Sequence, residues 1–268
     1  MKWNRKTKRL LLRTLLIGAG LYIAFAMGVW LTNWVTSIIR SSHRANISRK
    51  SDVKAFGIDL PGAYNVHGID ISKHQETIDW LQVSKSEWKG KKISFVFIKA
   101  SEGSTRSDEL FARNWREAKE KHLLRGAYHF YRPARGAEEQ FKLFSSIVKL
   151  EKGDLPPVVD IEVTNSRSKK VIQEGLAEFL DKLEDEYHAR PILYTSLSYY
   201  RRYLADKFSD YPVWIAYYKE EDSLKAAFQT EWHFWQHSDK GNVSGIKGKV
   251  DFNVFSGDIE ELKRMCIK

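Results

Sequence analysis

Short hydrophobic runs alternate with longer amphipathic stretches along the chain from His67 onward. The short runs predict strands at 67–71, 93–99, 126–131, 157–163, 191–195, 212–217, 231–236 and 250–255. Residues 108–122, 136–150 and 168–188 repeat hydrophobic side chains every three or four positions, which predicts helices, and 258–268 predict a closing helix. This alternation favours an α/β barrel of the TIM type, with a doubly wound open sheet as the alternative.

Residues 15–39 form an uncharged hydrophobic segment that would span about 38 Å as a helix, enough to cross a bilayer once. The cationic residues that precede it are Lys2, Arg5, Lys6, Lys8, Arg9 and Arg13. The positive-inside rule therefore places residues 1–14 in the cytoplasm and everything after Arg40 outside, with 40–66 as a linker and 67–268 as the barrel domain. A cleaved signal peptide is the alternative, because Ala24-Phe25-Ala26 resembles a cleavage site.

The net charge of +10 is concentrated near the N-terminus. Residues 1–50 hold ten of the 44 Lys and Arg residues and no Asp or Glu, so the remaining 34 cations balance 34 anions. The folded part is thus about neutral, which argues against nucleic acid as its partner. Cys266 is the only cysteine, and neither His129 nor His237 belongs to a histidine pair with metal-ligand spacing. We therefore expect no disulfide, no metal and no cofactor.

Two carboxylates follow a hydrophobic run at Pro156–Val163 and are separated by one residue. Because side chains on a strand alternate between faces, Asp160 and Glu162 are expected to project from the same side with Cα atoms about 6.5 Å apart. Two carboxyl groups held close in a partly apolar site cannot ionise independently, so one is driven toward the protonated form that can donate a proton. The alternative is a strand that simply ends in solvated acids.

Further polar residues collect where other predicted strands end, which in a barrel is the face that holds the working side chains. Asp70 ends the first strand, and Asp251 belongs to the last. A single aspartate at a strand end is usually a helix cap or a turn former. Four acids on one rim are harder to explain in that way.

Seven motifs in this order resemble glycoside hydrolase family 25, the Chalaropsis-type lysozymes or N-acetylmuramidases. They are Gly68-Ile-Asp-Ile-Ser-Lys-His-Gln75, Phe95-Val-Phe-Ile-Lys-Ala-Ser-Glu-Gly103, Gly126-Ala-Tyr-His-Phe-Tyr-Arg-Pro133, Asp160-Ile-Glu162, Trp214-Ile-Ala-Tyr217, Trp235-Gln236 and Val250-Asp-Phe-Asn253. Their joint order over about 190 residues is more specific than any one of them. His237 departs from the pattern, which has tyrosine after Trp-Gln.

The resemblance implies an irregular, flattened TIM-like barrel that cleaves the β-1,4 bond between N-acetylmuramic acid and N-acetylglucosamine in peptidoglycan. In that case Glu162 is the general acid, while Asp160 stays ionised and assists attack by the substrate's own 2-acetamido group. Asp70 and Asp251 support the reaction from opposite edges. Direct attack by a carboxylate and inversion through water remain alternatives.

Aromatic residues make up 13% of the chain, and sugars present apolar C–H faces that pack on aromatic rings. The candidates for substrate binding are Tyr128, Tyr131, Trp214 and Tyr217, together with the amide of Gln236. Strand alternation means that about half of the aromatic candidates can face a cleft, and ordinary core packing is the alternative for each.

The sequence therefore predicts a monomeric, single-pass enzyme of the bacterial cytoplasmic membrane whose catalytic domain lies on the cell-wall side and binds peptidoglycan glycan strands. A catalytically weak or inactive membrane-anchored module that only binds glycan is the alternative. The intact set of acids, Asp70, Asp160, Glu162 and Asp251, disfavours that alternative.

Overall fold

Eight strands close into a barrel in the computed structural model, which describes Met27 and residues 53–228 and 231–268. The strands of this part of the chain are β1 (Val53–Ala55), β2 (Ile58–Leu60), β3 (His67–Ile71), β4 (Glu87–Trp88), β5 (Lys91–Glu102), β6 (Arg106–Ser107), β7 (Leu124–Phe130), β8 (Val158–Asp160), β9 (Ile192–Ser196), β10 (Val213–Ala216), β11 (Phe234–Gly241) and β12 (Val250–Phe255). Its α-helices are α1 (Trp80–Lys85), α2 (Phe111–Glu120), α3 (Ala137–Ile147), α4 (Lys169–Tyr187), α5 (Leu197–Tyr199), α6 (Glu221–Ala227) and α7 (Ile259–Met265). A 3₁₀ helix spans Lys73–Gln75, and a π-helix, Tyr200–Leu204, continues α5.

The order of strands around the barrel is β3-β12-β11-β10-β9-β8-β7-β5, and β5 pairs again with β3. Every neighbouring pair is parallel except those made by β12, which runs antiparallel to both β11 and β3. The predicted α/β barrel is confirmed, and each of the eight predicted strands overlaps one barrel strand. The open-sheet alternative is wrong, because the β3–β5 pairing leaves the sheet without a free edge.

Aromatic side chains fill the inside of the barrel. The ring of Phe97 stacks on Trp214 with centroids 4.4 Å apart and meets Phe95 and Phe234 edge-on. These rings need space that a neighbouring side chain would take: a Cβ at Gly68 would lie 2.4 Å from the Phe95 ring, and one at Gly126 would lie 2.6 Å from Phe97. Each glycine pairs in register with that aromatic residue on the adjacent strand, so the missing side chain leaves room for the ring.

A second hydrophobic layer lies between the barrel and its helices. Helix α4 shows how the sequence builds it, because its buried residues recur at three- and four-residue intervals: Ile172, Leu176, Phe179, Leu180 and Leu183. The Ser168 hydroxyl caps its first turn, and the helix ends at His188, which adopts a left-handed conformation. The helical layer is irregular, since residues 242–249 connect β11 to β12 without a helix.

The chain before the barrel is partly folded where the sequence predicts a linker. Strands β1 and β2 pair as a hairpin within the predicted linker 40–66, and Leu60 and Val66 are buried. The hairpin is held to the barrel because Phe56 packs on Phe252 and its carbonyl accepts a hydrogen bond from the Asn242 amide. No helix of the described residues is both long and apolar enough to cross a membrane. The predicted membrane segment, 15–39, lies outside them apart from Met27.

A buried ion pair lies at the end of the barrel where the parallel strands begin. Arg125 of β7 donates from Nε to Asp154 Oδ1 at 2.7 Å and from Nη2 to Oδ2 at 3.1 Å, and the two side chains are only 3% and 6% exposed. Its Nη1 donates to the carbonyl of Trp115, whose ring lies 4.0 Å below the guanidinium. Each of the three guanidinium nitrogens thus donates to a specific acceptor.

Replacing Asp154 by alanine is expected to lower the free energy of unfolding by about 3–5 kcal/mol, because it strands a buried guanidinium. Chemical denaturation of the two proteins measures the difference. Glu151→Ala is the matched control, since Glu151 lies 3.7 Å from the same arginine but is mostly exposed, and it should change stability little. Equal stability of Asp154→Ala and the unmodified protein would contradict this account of the pair.

Candidate active site

Four carboxyl groups line one cavity of about 260 Å³ at the carboxyl ends of the parallel strands. Asp70 lies near the end of β3, Asp160 ends β8, and Glu162 follows two residues later. Because β12 runs in the opposite direction, its second residue, Asp251, lies at the same end of the barrel and pairs with Asp70 in register. The structure thus brings together the four acids that the sequence singles out.

The backbone after β8 keeps Asp160 and Glu162 on one side. The amide of Ile161 donates to the Tyr194 carbonyl at 3.0 Å, so the extended conformation continues past the last residue of the strand. Ile161 itself is fully buried in the layer between the barrel and its helices, opposite the cavity. Alternation therefore directs both carboxyl groups into the cavity.

Asp160 is the more deeply placed of the two. Its Oδ1 has no hydrogen-bond partner among the described residues, and the residue is 6% exposed. Burial, reinforced by the nearby Glu162 carboxylate, holds the pKa of Asp160 well above its usual range. Burial also raises the pKa of Glu162, an effect that the Tyr194 hydroxyl and the Lys99 ammonium oppose. From the sequence, Asp160 is expected to be ionised. In the free protein that ionised form has an energetic cost, because no described group donates a hydrogen bond to Asp160 Oδ1.

Asp70 and Asp251 form a hydrogen-bonded pair. Asp70 Oδ2 also accepts from Asn253 Nδ2 at 2.7 Å and from Gln236 Nε2 at 2.9 Å. Burial raises the pKa of Asp70 to about 6 against these hydrogen bonds, while burial and the Asp70 charge raise the pKa of Asp251 to about 8. Near neutral pH the pair thus shares one proton, which the Asp251 side chain donates to Asp70.

Tyrosine and tryptophan side chains orient the amides around Asp70. Gln236 Oε1 accepts from the hydroxyls of Tyr194 at 2.9 Å and Tyr218 at 2.6 Å. The indole of Trp214 donates to Asn253 Oδ1 at 2.7 Å. Both amides are therefore fixed with their NH₂ groups toward the Asp70 carboxylate.

Of the predicted sugar-binding residues, Tyr128, Trp214 and Gln236 line the cavity. Tyr131 and Tyr217 do not. The Tyr131 ring packs on Phe179 of α4 with centroids 5.2 Å apart, and Tyr217 packs against the layer outside the barrel. The reason is strand alternation, which places Tyr131 on the opposite side from Phe130, a cavity residue. His237 also lies outside the cavity, against the rings of Trp235 and Phe252.

Sequence reasoning assigned no site role to four polar residues: Lys99, Tyr194, Tyr218 and Asn253. Asn253 had a usable signal, because it lies two positions after Asp251 on a predicted strand and so faces the same side. Tyr194 and Tyr218 had none, since many tyrosines follow strands and only the fold selects those near Gln236. Among the described residues, no group of three or more His, Cys, Asp or Glu side chains could hold a metal ion.

Comparison with known proteins gives the family of the chain. Residues 69–246 match the family model described as Glycosyl hydrolases family 25. The chain belongs to this family. It is therefore a glycoside hydrolase, and its cavity occupies the strand ends where barrel enzymes hold their active sites.

Similar proteins align with most of the chain. YegX of Escherichia coli K12 is 42% identical over 211 residues, covering 79% of this chain and 77% of YegX. Lysozyme M1 of Streptomyces globisporus is 31% identical over 211 residues, covering 74% and 70%. The solved structure of a family 25 glycosyl hydrolase from Bacillus anthracis is 31% identical, with a TM-score of 0.70, over 81% of this chain and 98% of that one.

The raised pKa of Asp251 predicts a pH-dependent effect of Asp251→Asn on stability. The folded state holds the Asp251 proton more tightly than the unfolded state does, so the stability that this group contributes is lost as pH rises from about 4 to about 8. Relative to the unmodified protein, Asp251→Asn should therefore gain unfolding free energy steadily across that range. Denaturant unfolding at a series of pH values measures this gain.

Glu102→Gln serves as a control of opposite sign: burial raises the pKa of Glu102, but hydrogen bonds and charges from Lys99 and Arg132 together outweigh it and lower the pKa to about 2. Its destabilising effect should grow as pH rises from about 2 to about 4.5. A constant difference between Asp251→Asn and the unmodified protein would show that Asp251 is not protonated in the folded state.

Proposed function

We propose that the protein is a muramidase that hydrolyses the β-1,4 bond between N-acetylmuramic acid and N-acetylglucosamine in peptidoglycan. Membership of family 25 and the lysozyme relatives support peptidoglycan hydrolysis in general. A further relative, 25% identical over 216 residues, is a protein of Arthroderma benhamiae that carries the name N,O-diacetylmuramidase. The observation that carries the proposal is the pairing of Glu162 with a buried Asp160 whose Oδ1 lacks a donor.

Glu162 is the general acid. It lines the cavity, and burial raises its pKa, which favours the protonated form that can deliver a proton to the glycosidic oxygen. As the C1–O bond breaks, the leaving sugar takes this proton. The Glu162 carboxylate then accepts a proton from the water that completes hydrolysis.

Asp160 orients the substrate's 2-acetamido group. The acetamido N–H is the donor that Asp160 Oδ1 lacks in the free protein. This hydrogen bond stabilises the ionised form of Asp160 only when substrate is present, and it directs the acetamido carbonyl oxygen at C1. The resulting oxazolinium ion carries a positive charge, which the Asp160 carboxylate stabilises in a site of low polarity.

Asp70 and Asp251 act as one unit, because they pair in register and are hydrogen-bonded to each other, and not from opposite edges as the sequence suggests. Their shared proton limits the pair to about one negative charge near neutral pH. The amides of Gln236 and Asn253 hold Asp70 in place. This arrangement adds one fixed anion near the developing positive charge without the full repulsion of two.

The proposed setting is the outer side of a bacterial cytoplasmic membrane. It rests on the uncharged segment 15–39 and the six cations before it. A purely glycan-binding role is the competing function, and the activity test below separates the two.

Glu162→Gln is expected to reduce the release of reducing ends from purified peptidoglycan by at least about 100-fold, because the amide preserves shape but cannot donate the proton. Borohydride reduction and mass spectrometry of the products of the unmodified protein should show N-acetylmuramic acid at the new reducing ends. Glu109→Gln is the matched control, an exposed acid outside the cavity that should keep full activity. Near-normal turnover by Glu162→Gln would overturn its role, and no product from the unmodified protein would favour the binding function.

The stereochemistry of the first product tests the acetamido route. Two displacements at C1 retain the β-anomer, so an NMR time course on a defined muropeptide oligomer should show the β-anomer first and the α-anomer only after mutarotation. Initial appearance of the α-anomer would indicate a single displacement by water and would exclude attack by the acetamido group.

A further inference from the structure

Lys99 is the lysine of the active-site cavity, and it faces the four carboxyl groups from the wall formed by β5. The remaining basic side chain among the described residues that line the cavity is the imidazole of His74. The Lys99 side chain is only 19% exposed. A charge so shielded from solvent acts on its neighbours more strongly than a surface charge does.

Glu102 holds the Lys99 ammonium in place. Lys99 Nζ donates to Glu102 Oε2 at 2.9 Å, and its position over the Phe130 ring, 5.1 Å from the centroid, adds a second contact. The other oxygen of Glu102 accepts from Arg132 at 2.7 Å and from Arg106 at 3.2 Å. One carboxylate thus serves three cations, so it anchors Lys99 without cancelling its charge.

Strand register places this cluster beside the reacting acids. Glu102, Phe130 and Asp160 pair in one row across β5, β7 and β8. The charge of Lys99 lowers the pKa of both Asp160 and Glu162, against the larger effect of burial. Without it, burial would favour two neutral carboxyl groups, and the proposed reaction needs one of them ionised.

We infer that Lys99 is a positioning residue that keeps one carboxyl group of the Asp160–Glu162 pair ionised at working pH, and that Glu102 fixes it there. The inference rests on the proposed hydrolysis, in which Asp160 acts as an anion. It concerns charge and not substrate contact. The other titratable or charged groups around Lys99 are Asp70, His74, Arg106, Tyr128, His129, Arg132, Tyr194 and Asp251.

The pH dependence of kcat/KM on peptidoglycan, measured with the full-length protein, tests the inference. Lys99→Met removes the charge, so the carboxyl group that must ionise should do so at higher pH. We expect the acid limb of the profile to move upward by about one pH unit. Lys99→Gln is a second neutral replacement that should move it equally.

Two controls separate charge from packing. Lys99→Arg keeps the positive charge and should leave the limb within about 0.3 pH unit of its original position. Lys142→Met removes an exposed lysine that pairs with Glu138, away from the cavity, and should not move the limb. An unmoved limb in both neutral variants, or an equal shift in Lys99→Arg, would overturn the inference. Unfolding of both neutral variants would assign Lys99 a structural role and would also overturn it.

A carboxyl ¹³C NMR titration tests the same inference without requiring enzymatic activity, because it follows the ionisation of Asp160 and Glu162 directly. In Lys99→Met, the titration midpoints of Asp160 and Glu162 should rise relative to the unmodified protein, while Lys99→Arg should leave them in place. A clear rise in a protein that releases no sugar would refute the proposed hydrolysis but support the electrostatic role of Lys99. Unchanged midpoints in an active enzyme would refute the role of Lys99 and would leave the proposed hydrolysis standing.

Discussion

The antiparallel pairing of β12 between β11 and β3 is the constraint on which the rest of the structure depends. It completes the barrel, because β12 is hydrogen-bonded on both sides. It also reverses one strand, so that the first residues of β12 lie where the other strands end. Asp251 consequently meets Asp70, and Asn253, two residues further on, reaches the same carboxylate. A parallel β12 would place these side chains at the other end of the barrel.

Burial of acidic groups has an energetic cost that this site reduces in several ways. Asp70 is compensated by two side-chain amides, and Asp251 by holding a proton. Asp160 has no such partner at Oδ1, so its burial favours the neutral, protonated form. This uneven compensation is what allows chemically similar groups to take different roles, because the environment of each sets its pKa.

The opposite end of the barrel is organised for stability. Helix α7 places Leu262 and Cys266 against the aromatic residues that fill the barrel, and the Arg125–Asp154 pair lies nearby on the outside of β7. Both carboxylate oxygens of Asp154 are hydrogen-bonded to Arg125, in contrast to the unpartnered oxygen of Asp160. A buried carboxylate with a paired cation stabilises the fold, whereas one that lacks a donor lines the cavity.

The sequence alone determined the α/β class, the eight barrel strands and the four acids, because hydrophobic periodicity and strand-end polarity are local properties. It also favours the membrane segment 15–39, which stays a prediction. Only the tertiary structure decided the direction of β12, the hairpin within the predicted linker, and which aromatic residues face the cavity. Alternation lets only one set of side chains on each strand face the cavity, and the structure shows that on β7 it is the set of Tyr128 and Phe130, which leaves Tyr131 outside. Tyr194, Tyr218 and Lys99 enter the site through contacts between distant strands, and such long-range contacts leave no pattern in neighbouring residues.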